Sequence, residues 1–269
     1  MVMRGPSAGA LAKLRGELDG ALSGGADAAR VGQDLYTVAM VLRSEPSLRR
    51  IATDVSIPAD PKQGLAREVF GAKVDGASLD LVLSAVGRRW RVTRDLADAL
   101  EHLSEIAIVK SAGPDTERLG DELFELGQLV QHNPALRDAL SNPARSVEDK
   151  ADLIAGILEG RALPATVTLA RQSLAGTYRT VGVALTTYQR VAAEVHGQGV
   201  ATVRVAHPLS DQELSRLGTA LSSNYGREIH LNVVVDPEVI GGIRVEVGDD
   251  VIDGTVESRL DEARRRLAG

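Results

Sequence analysis

Cysteine is absent from the 269 residues. Disulfides, thiolate metal sites and cysteine nucleophiles are therefore excluded. Aromatic residues make up 3%, with a single Trp, so the core has to be built from Leu, Val, Ile and Ala. That composition favours helices packed closely through small side chains over an aromatic-lined ligand pocket. No apolar run approaches the roughly 20 residues of a membrane span, and residues 1–9 carry no signal-peptide core; the chain reads as soluble and cytoplasmic. Basic residues are outnumbered, 31 Lys and Arg against 37 Asp and Glu, and the net charge of −6 argues against a dedicated nucleic-acid binder. What remains is ordinary for a globular protein: 43% hydrophobic and 25% charged residues, too apolar for intrinsic disorder.

A shift of 88 residues aligns the chain with itself without a gap. Between 27 and 65 there are nine identities in 39 positions: Asp27/Asp115, Arg30/Arg118, Gly32/Gly120, Leu35/Leu123, Pro46/Pro134, Leu48/Leu136, Arg49/Arg137, Lys62/Lys150 and Leu65/Leu153. Chance at average residue usage gives about two or three. Shared helical periodicity explains the Leu pairs but not Pro46/Pro134 or Arg49/Arg137. Further on, Trp90-Arg91 lies over Tyr178-Arg179. The pattern reads as an internal duplication.

Each copy reads as helices. Val31, Leu35, Val38 and Leu42 recur every three or four residues, as do Leu119, Leu123, Leu126 and Val130. Pro46 and Pro134 fall where helices start, since a missing N–H is harmless there. Ser146 with Asp149 resembles a capping box with Asp in place of Glu. Residues 79–90 and 166–178 supply a further helix per copy, and 94–109 and 183–196 close each copy. The stretch 96–109 also opens the second copy, because Leu11 to Leu18 lies over Ala99 to Ile106 at the same offset. The two bundles then join with almost no linker.

Near residue 199 the period switches to two. Val200, Thr202 or Val203, and Val205 suggest a strand, and Ser210-Asp211-Gln212-Glu213 is a capping box that opens a helix burying Leu214, Leu217 and Leu221. Ile229, Leu231, Val233 and Val235 form the inner face of a second strand, with His230 and Asn232 outside. Ile243, Val245 and Val247 alternate with Arg244 and Glu246; Gly248-Asp249-Asp250 turns the chain, and 251–253 returns. A last helix carries Val256, Leu260, Ala263 and Leu267 on one face, with Arg264 to Arg266 in its final turn. The expected fold is mainly α with a small α+β C-terminal domain: two tandem antiparallel helical bundles, then a compact sheet-and-helix domain. The expected boundaries are 1–110 for the first bundle, 95–198 for the second and 199–269 for the α+β domain.

Enzyme signatures fail in turn. Gly5-Pro6-Ser7-Ala8-Gly9 matches the nucleophile-elbow string but sits at the chain terminus, read as frayed, rather than between a strand and a helix. Lys110-Ser111 lacks the glycines of a phosphate loop. His102, His132, His196, His207 and His230 show no ligand spacing and read as surface residues. An EF-hand beginning at Asp249 would need ligands where Val251 and Leu260 stand, so the Asp249–Asp253 cluster reads as turn chemistry. Gly241-Gly242 reads as a bulge or close backbone approach rather than a phosphate cradle. The residues describe a scaffold or subunit with no active site, cofactor or metal.

The stretch 236–260 closely resembles the C-terminal signature of the delta subunit of bacterial F-type ATP synthases, the family of the mitochondrial oligomycin-sensitivity-conferring protein. The matching residues are Asp236-Pro237, Ile240-Gly241-Gly242, Gly248-Asp249, Val251-Ile252-Asp253-Gly254 and Arg259-Leu260. Asn133-Pro134, Leu136, Leu140-Ser141-Asn142-Pro143 and Lys150 resemble the family's N-terminal bundle, and 206–210 the corner ahead of its C-terminal domain. The resemblance covers about 95–269 and omits the first copy, as in a long form with a duplicated bundle. No membrane helix precedes Met1, so the chain reads as a separate subunit.

The resemblance implies a non-catalytic stator subunit, peripheral on the cytoplasmic side of the cell membrane. Such a subunit ties the alpha/beta head to the b stalk and resists rotor torque, so that proton flow drives ATP synthesis. It implies that an alpha N-terminal helix enters a groove between the first and fifth helices of a bundle. The candidates are Leu11, Leu14 and Leu18 with Leu81, Val82 and Ala85 in copy 1, and Leu96, Leu100 and Leu103 with Leu169, Ala170 and Ser173 in copy 2. The end of the b stalk would meet the last helix through Val256, Leu260, Ala263 and Leu267. Nucleic-acid binding and direct membrane insertion are not expected.

Overall fold

The computed structural model describes residues 3–237, 239–248 and 250–256. The chain divides into two compact units, Met1–Val191 and Ala192–Gly269. The fold is mainly α-helical, with a small mixed sheet-and-helix unit at the C-terminal end. In the first unit the helices are α1 (Pro6–Ser23), α2 (Ala28–Ser44), α3 (Pro46–Thr53), α4 (Ala59–Phe70), α5 (Gly76–Gly87) and α6 (Asp95–Ser111). They are followed by α7 (Thr116–His132), α8 (Pro134–Ser141), α9 (Val147–Leu158), α10 (Pro164–Gln172) and α11 (Val181–His196).

Adding 88 to the bounds of α2, α3 and α4 reproduces both ends of α7, α8 and α9. Local hydrogen bonds recur at the same offset. Asp34 accepts from the Asp75 N–H at 2.8 Å, and Glu122 from the Leu163 N–H at 2.8 Å. Arg49 donates to the Leu42 and Arg43 carbonyls, and Arg137 to that of Gln131. These guanidiniums satisfy carbonyls that a helix end leaves without partners, which accounts for an arginine at both positions. Pro46 and Pro134 occupy the first turns of α3 and α8.

Helix α6 is the centre of this unit. It packs on α1, α2, α3 and α5 and also on α7 and α10. Leu96, Leu100, Leu103, Ile106 and Val109 are fully buried, and so are the short residues between them, Ala97, Ala99 and Ala107. The same helix stands sixth, counting from α1, and, at the offset of 88, in the place of α1 itself. Helix α2 approaches it most closely at Gly32, where a Cβ would lie 2.5 Å from the Ile108 Cδ1 and 3.1 Å from the Ile108 backbone nitrogen. Ser104 donates to the Gly32 carbonyl there at 2.6 Å.

Three expectations need correction. Helices α5 and α10 end at Gly87 and Gln172, short of Trp90 and Tyr178. Beyond α5 the chain turns extended at Arg88, and beyond α10 it reaches Gly176 at φ +98°, so each aromatic folds back from a loop. The Trp90 indole donates to the Ala85 carbonyl at 2.9 Å. The Gly5–Gly9 string is not a frayed end: α1 starts at Pro6, and buried Ser7 donates to Asp95 at 2.6 Å and accepts from the Arg91 N–H at 2.8 Å. His102 is half-buried, its Nδ1 2.9 Å from Glu105.

The C-terminal unit holds β1 (Gly199–Val205), α12 (Asp211–Tyr225), β2 (Ile229–Val235), β3 (Ile243–Val247) and β4 (Asp250–Asp253). The sheet order is β2-β1-β3-β4, with β1 and β2 parallel and the other pairs antiparallel. Helix α12 is the crossover that a parallel pair requires. The core gathers Ala201, Val203, Val205, Leu221, Ile229, Val245 and Val247. Val235 is the exception to the expected inner face: it is the last residue of an edge strand and is 46% exposed, whereas Asn232 is buried. Ser210 and Glu213 form the reciprocal capping box. Ser210→Ala is expected to destabilise this unit by roughly 0.5–2 kcal/mol, read as a lower urea midpoint for α12 unfolding.

Candidate functional site

The residues expected to line helix grooves mostly point inward. Leu14, Leu18, Leu81, Val82 and Ala85 are buried, as are Leu96, Leu100, Leu103, Leu169, Ala170 and Ser173; only Leu11 is half-buried. The open surface beside them is made by shorter residues. Between α1 and α5 lies a cleft of about 570 Å³ lined by Glu17, Ala21, Gly24 and Ala26 from one side and Ala77, Asp80, Leu81 and Ser84 from the other. The comparable face between α6 and α10 carries a cleft of about 540 Å³, but there the start of α2 supplies part of the wall through Asp27, Ala28, Ala29 and Gln33. The Tyr36 hydroxyl on α2 also reaches the Gln172 carbonyl at the end of α10, at 3.2 Å. A third helix thus helps to wall the cleft between α6 and α10, whereas α1, α5 and the turn after α1 wall the other.

Three acids on α6 escaped the sequence reading: Asp98, Glu101 and Glu105, all buried. Arg43 from α2 pairs with Glu101 and lies 2.8 Å from Asp98. Glu101 also accepts the Thr177 N–H at 3.0 Å, from the loop after α10. A Cβ on neighbouring Gly176 would strike that carboxylate. Glu105 accepts the Tyr178 hydroxyl at 2.6 Å. One guanidinium therefore faces two carboxylates, and Glu105 beside them is held by Tyr178 and His102. Burial pushes the Glu101 carboxyl up to about 7, against the pull of Arg43 and the Thr177 N–H, with Glu105 and Asp98 adding to the rise. Burial likewise raises Asp98, and it raises Tyr178 with the help of Glu105. Acids at i, i+3 and i+7 read as a solvated helix stripe; here α2 and the 176–178 loop cover it.

The C-terminal motif residues have structural work. Asp236 and Pro237 turn the chain out of β2, and the Asp236 N–H donates to the Val205 carbonyl at 2.8 Å. Gly241 and Gly242 have φ +137° and +84°. A Cβ on Gly242 would collide with the Gly254 carbonyl and lie 2.9 Å from the Thr255 Cα. This is close backbone approach, sealed by the Val256 N–H donating to Gly241 and the Gly254 N–H donating to Ile243. Gly248 turns β3 into β4 at φ +61°. Asp253 accepts from the Thr255 N–H and hydroxyl, which holds its carboxyl below the usual range. Asp249, Arg259, Leu260, Ala263 and Leu267 lie outside the described residues. Among the described residues no group of three or more His, Asp or Glu is placed to hold a metal, and no helix is long and apolar enough to cross a membrane.

Known proteins resemble this chain in sequence. The family described as ATP synthase delta (OSCP) subunit matches residues 93–267, from just ahead of α6 through the C-terminal unit. The "ATP synthase subunit delta" of a Nocardioides species is 53% identical, over 99% of this chain and 98% of the relative. That of Streptomyces avermitilis is 40% identical over the whole of both chains, and that of Kineococcus radiotolerans 42% identical over 98% of each. The residues before α6 are therefore matched in these relatives, although the family match begins at residue 93. The chain belongs to the ATP synthase delta (OSCP) subunit family.

Proposed function

We propose that this chain is a peripheral-stalk subunit of a proton-translocating F-type ATP synthase, on the cytoplasmic side of the cell membrane. It ties the catalytic alpha/beta head to the b stalk and has no active site of its own. Membership of the family carries the reading. In it, α1–α6 and α6–α11 are tandem copies of one bundle, related by the offset of 88. The first copy takes the alpha N-terminal helix into the cleft between α1 and α5, because that cleft is walled by α1, α5 and the turn after α1 while α2 flanks the other. Helix-in-groove docking suits its lining of small residues, Ala21, Gly24, Ala26, Ala77 and Ser84. The stalk meets the C-terminal unit from Val256 onward.

Titration of the full chain with an alpha N-terminal peptide, followed by calorimetry, tests this. Saturable heat is expected. Ser84→Arg, which fills the α1/α5 cleft, is expected to weaken binding at least tenfold, whereas Thr168→Arg, on α10 in the other cleft, leaves it unchanged. The reverse pattern would move the alpha site to the second copy; absence of heat at several temperatures would remove the alpha contact altogether.

A further inference from the structure

A second surface of the helical unit has no part in that scheme. Where α3 ends and the loop from α5 to α6 passes, a cleft of about 540 Å³ is walled by Arg50, Asp54 and Val55 on one side and Trp90, Arg91 and Val92 on the other. Two apolar side chains of its lining stand exposed, Val55 at 66% and Val92 at 46%. Arg50 and Arg91 are exposed, and Arg89 stands exposed on the same loop. None of the three has an ion-pair partner among the described residues. Asp54, the one acid in the wall, is engaged by the Ser56 N–H and hydroxyl at 2.8 and 2.7 Å. A net basic, apolar-rimmed cleft is therefore set in a chain of net charge −6.

The fold does not require this patch. At the offset of 88, Arg50 becomes Asp138, Val55 becomes Pro143, Arg89 becomes Thr177 and Trp90 becomes Tyr178; only Arg91 keeps its charge, as Arg179. The equivalent helices form without the cationic set. The walls are also pinned before any partner arrives. Trp90 is tied to Ala85, and the Arg91 N–H to Ser7, which is held by Asp95. A preformed cleft loses little ordering entropy on binding.

We propose that this cleft is a docking site for an acidic amphipathic helix of a partner protein. Apolar side chains of the partner enter between Val55 and Val92 over the indole. Carboxylates on either flank reach Arg50, Arg89 and Arg91, whose planar guanidiniums favour paired hydrogen bonds to carboxylate. The apolar rim distinguishes such a partner from nucleic acid, which guanidiniums alone would hold. The proposal stands apart from the stator reading, since no lining residue is shared with the α1/α5 cleft.

Trp90 is the only tryptophan, so its emission reports on this cleft. The probes are a helical peptide with a Leu stripe flanked by Glu, the same peptide with Lys for Glu, and a single-stranded oligonucleotide. The expected result with the full chain is a saturable emission change with the Glu peptide that weakens as salt is raised, and none with the Lys peptide. Arg50→Glu with Arg91→Glu is expected to weaken binding roughly tenfold or more, with an unchanged melting curve and unchanged heat from the alpha peptide. Val92→Ser, which leaves the charges in place, also weakens it. No emission change up to about 1 mM peptide, equal binding of the Lys peptide, unaltered binding by the charge-reversed variant, or tighter binding of the oligonucleotide would each overturn the proposal.

Discussion

Arg43→Ala is expected to destabilise the helical unit by about 3–5 kcal/mol well above neutral pH, where the Glu101 carboxyl is ionised. The substitution leaves Asp98 and Glu101 buried beside Glu105 without their guanidinium. Breaking a buried ion pair by removing one member costs far more than the pair contributes, because the remaining charge stays desolvated. The loss should shrink as pH falls, since protonation removes that charge. The same logic gives the unaltered protein a slope. Glu101 titrates at about 7 when folded and at its ordinary value of 4.5 when unfolded. Between those values the folded state binds more protons, so stability falls as pH rises through the window, by about 3 kcal/mol at most. Asp54 shifts downward and acts only below its ordinary 3.8, outside this range. Urea unfolding followed by Trp90 emission should give a higher midpoint near pH 5.5 than near pH 8. Glu101→Gln should flatten the difference, and an unaltered slope in that variant would assign the titration to another group.

Gly32→Val is expected to cost about 3 kcal/mol, the upper end for added bulk in a packed core. The new Cβ would lie 2.5 Å from the Cδ1 of Ile108, a buried side chain with little room to shift, and 3.1 Å from its backbone nitrogen. The Ser104 hydrogen bond to the Gly32 carbonyl would open with it. Gly120, the residue 88 positions on, has nothing within 4 Å of a Cβ. Gly120→Ala should therefore stabilise by up to about 1 kcal/mol through helix propensity. Equal effects of alanine or valine at the two sites, measured by thermal or urea unfolding, would show that α2 does not lie against α6 as described.

The contrast between these two glycines shows how far sequence reasoning reaches. Identity at an offset of 88 located the helices, and proline and capping residues located their starts, because those signals are local. Leu35 and Val38 declared a buried face through spacing alone. What covers a face is a non-local fact. Asp98, Glu101 and Glu105 look like a solvated stripe until α2 and the 176–178 loop are laid over them. Leu14, Leu100 and Leu169 read equally well as groove or core, and the cleft between α1 and α5 is lined instead by Ala21, Ala77 and Ser84, which carry no hydrophobic signal. Helices α5 and α10 end short of the expected aromatics because periodicity does not register a chain reversal. The glycine pair at 241–242 was recognisable as a close approach, but its partner, the Gly254–Thr255 backbone, was not.

In the proposed tandem arrangement the shared helix α6 fixes how such a chain can grow. With α6 serving twice, each increment of 88 residues adds five helices and borrows its sixth, so an array of n bundles needs 5n + 1. Growth of this kind leaves no linker in which neighbouring bundles could swivel. A twist applied at α1 or α2 reaches α7 and α10 through one continuous helix that packs on all four. Excision carries the complementary penalty: cutting the chain ahead of residue 95 would leave α6 with a full apolar flank bare, an adhesive surface rather than a shorter protein.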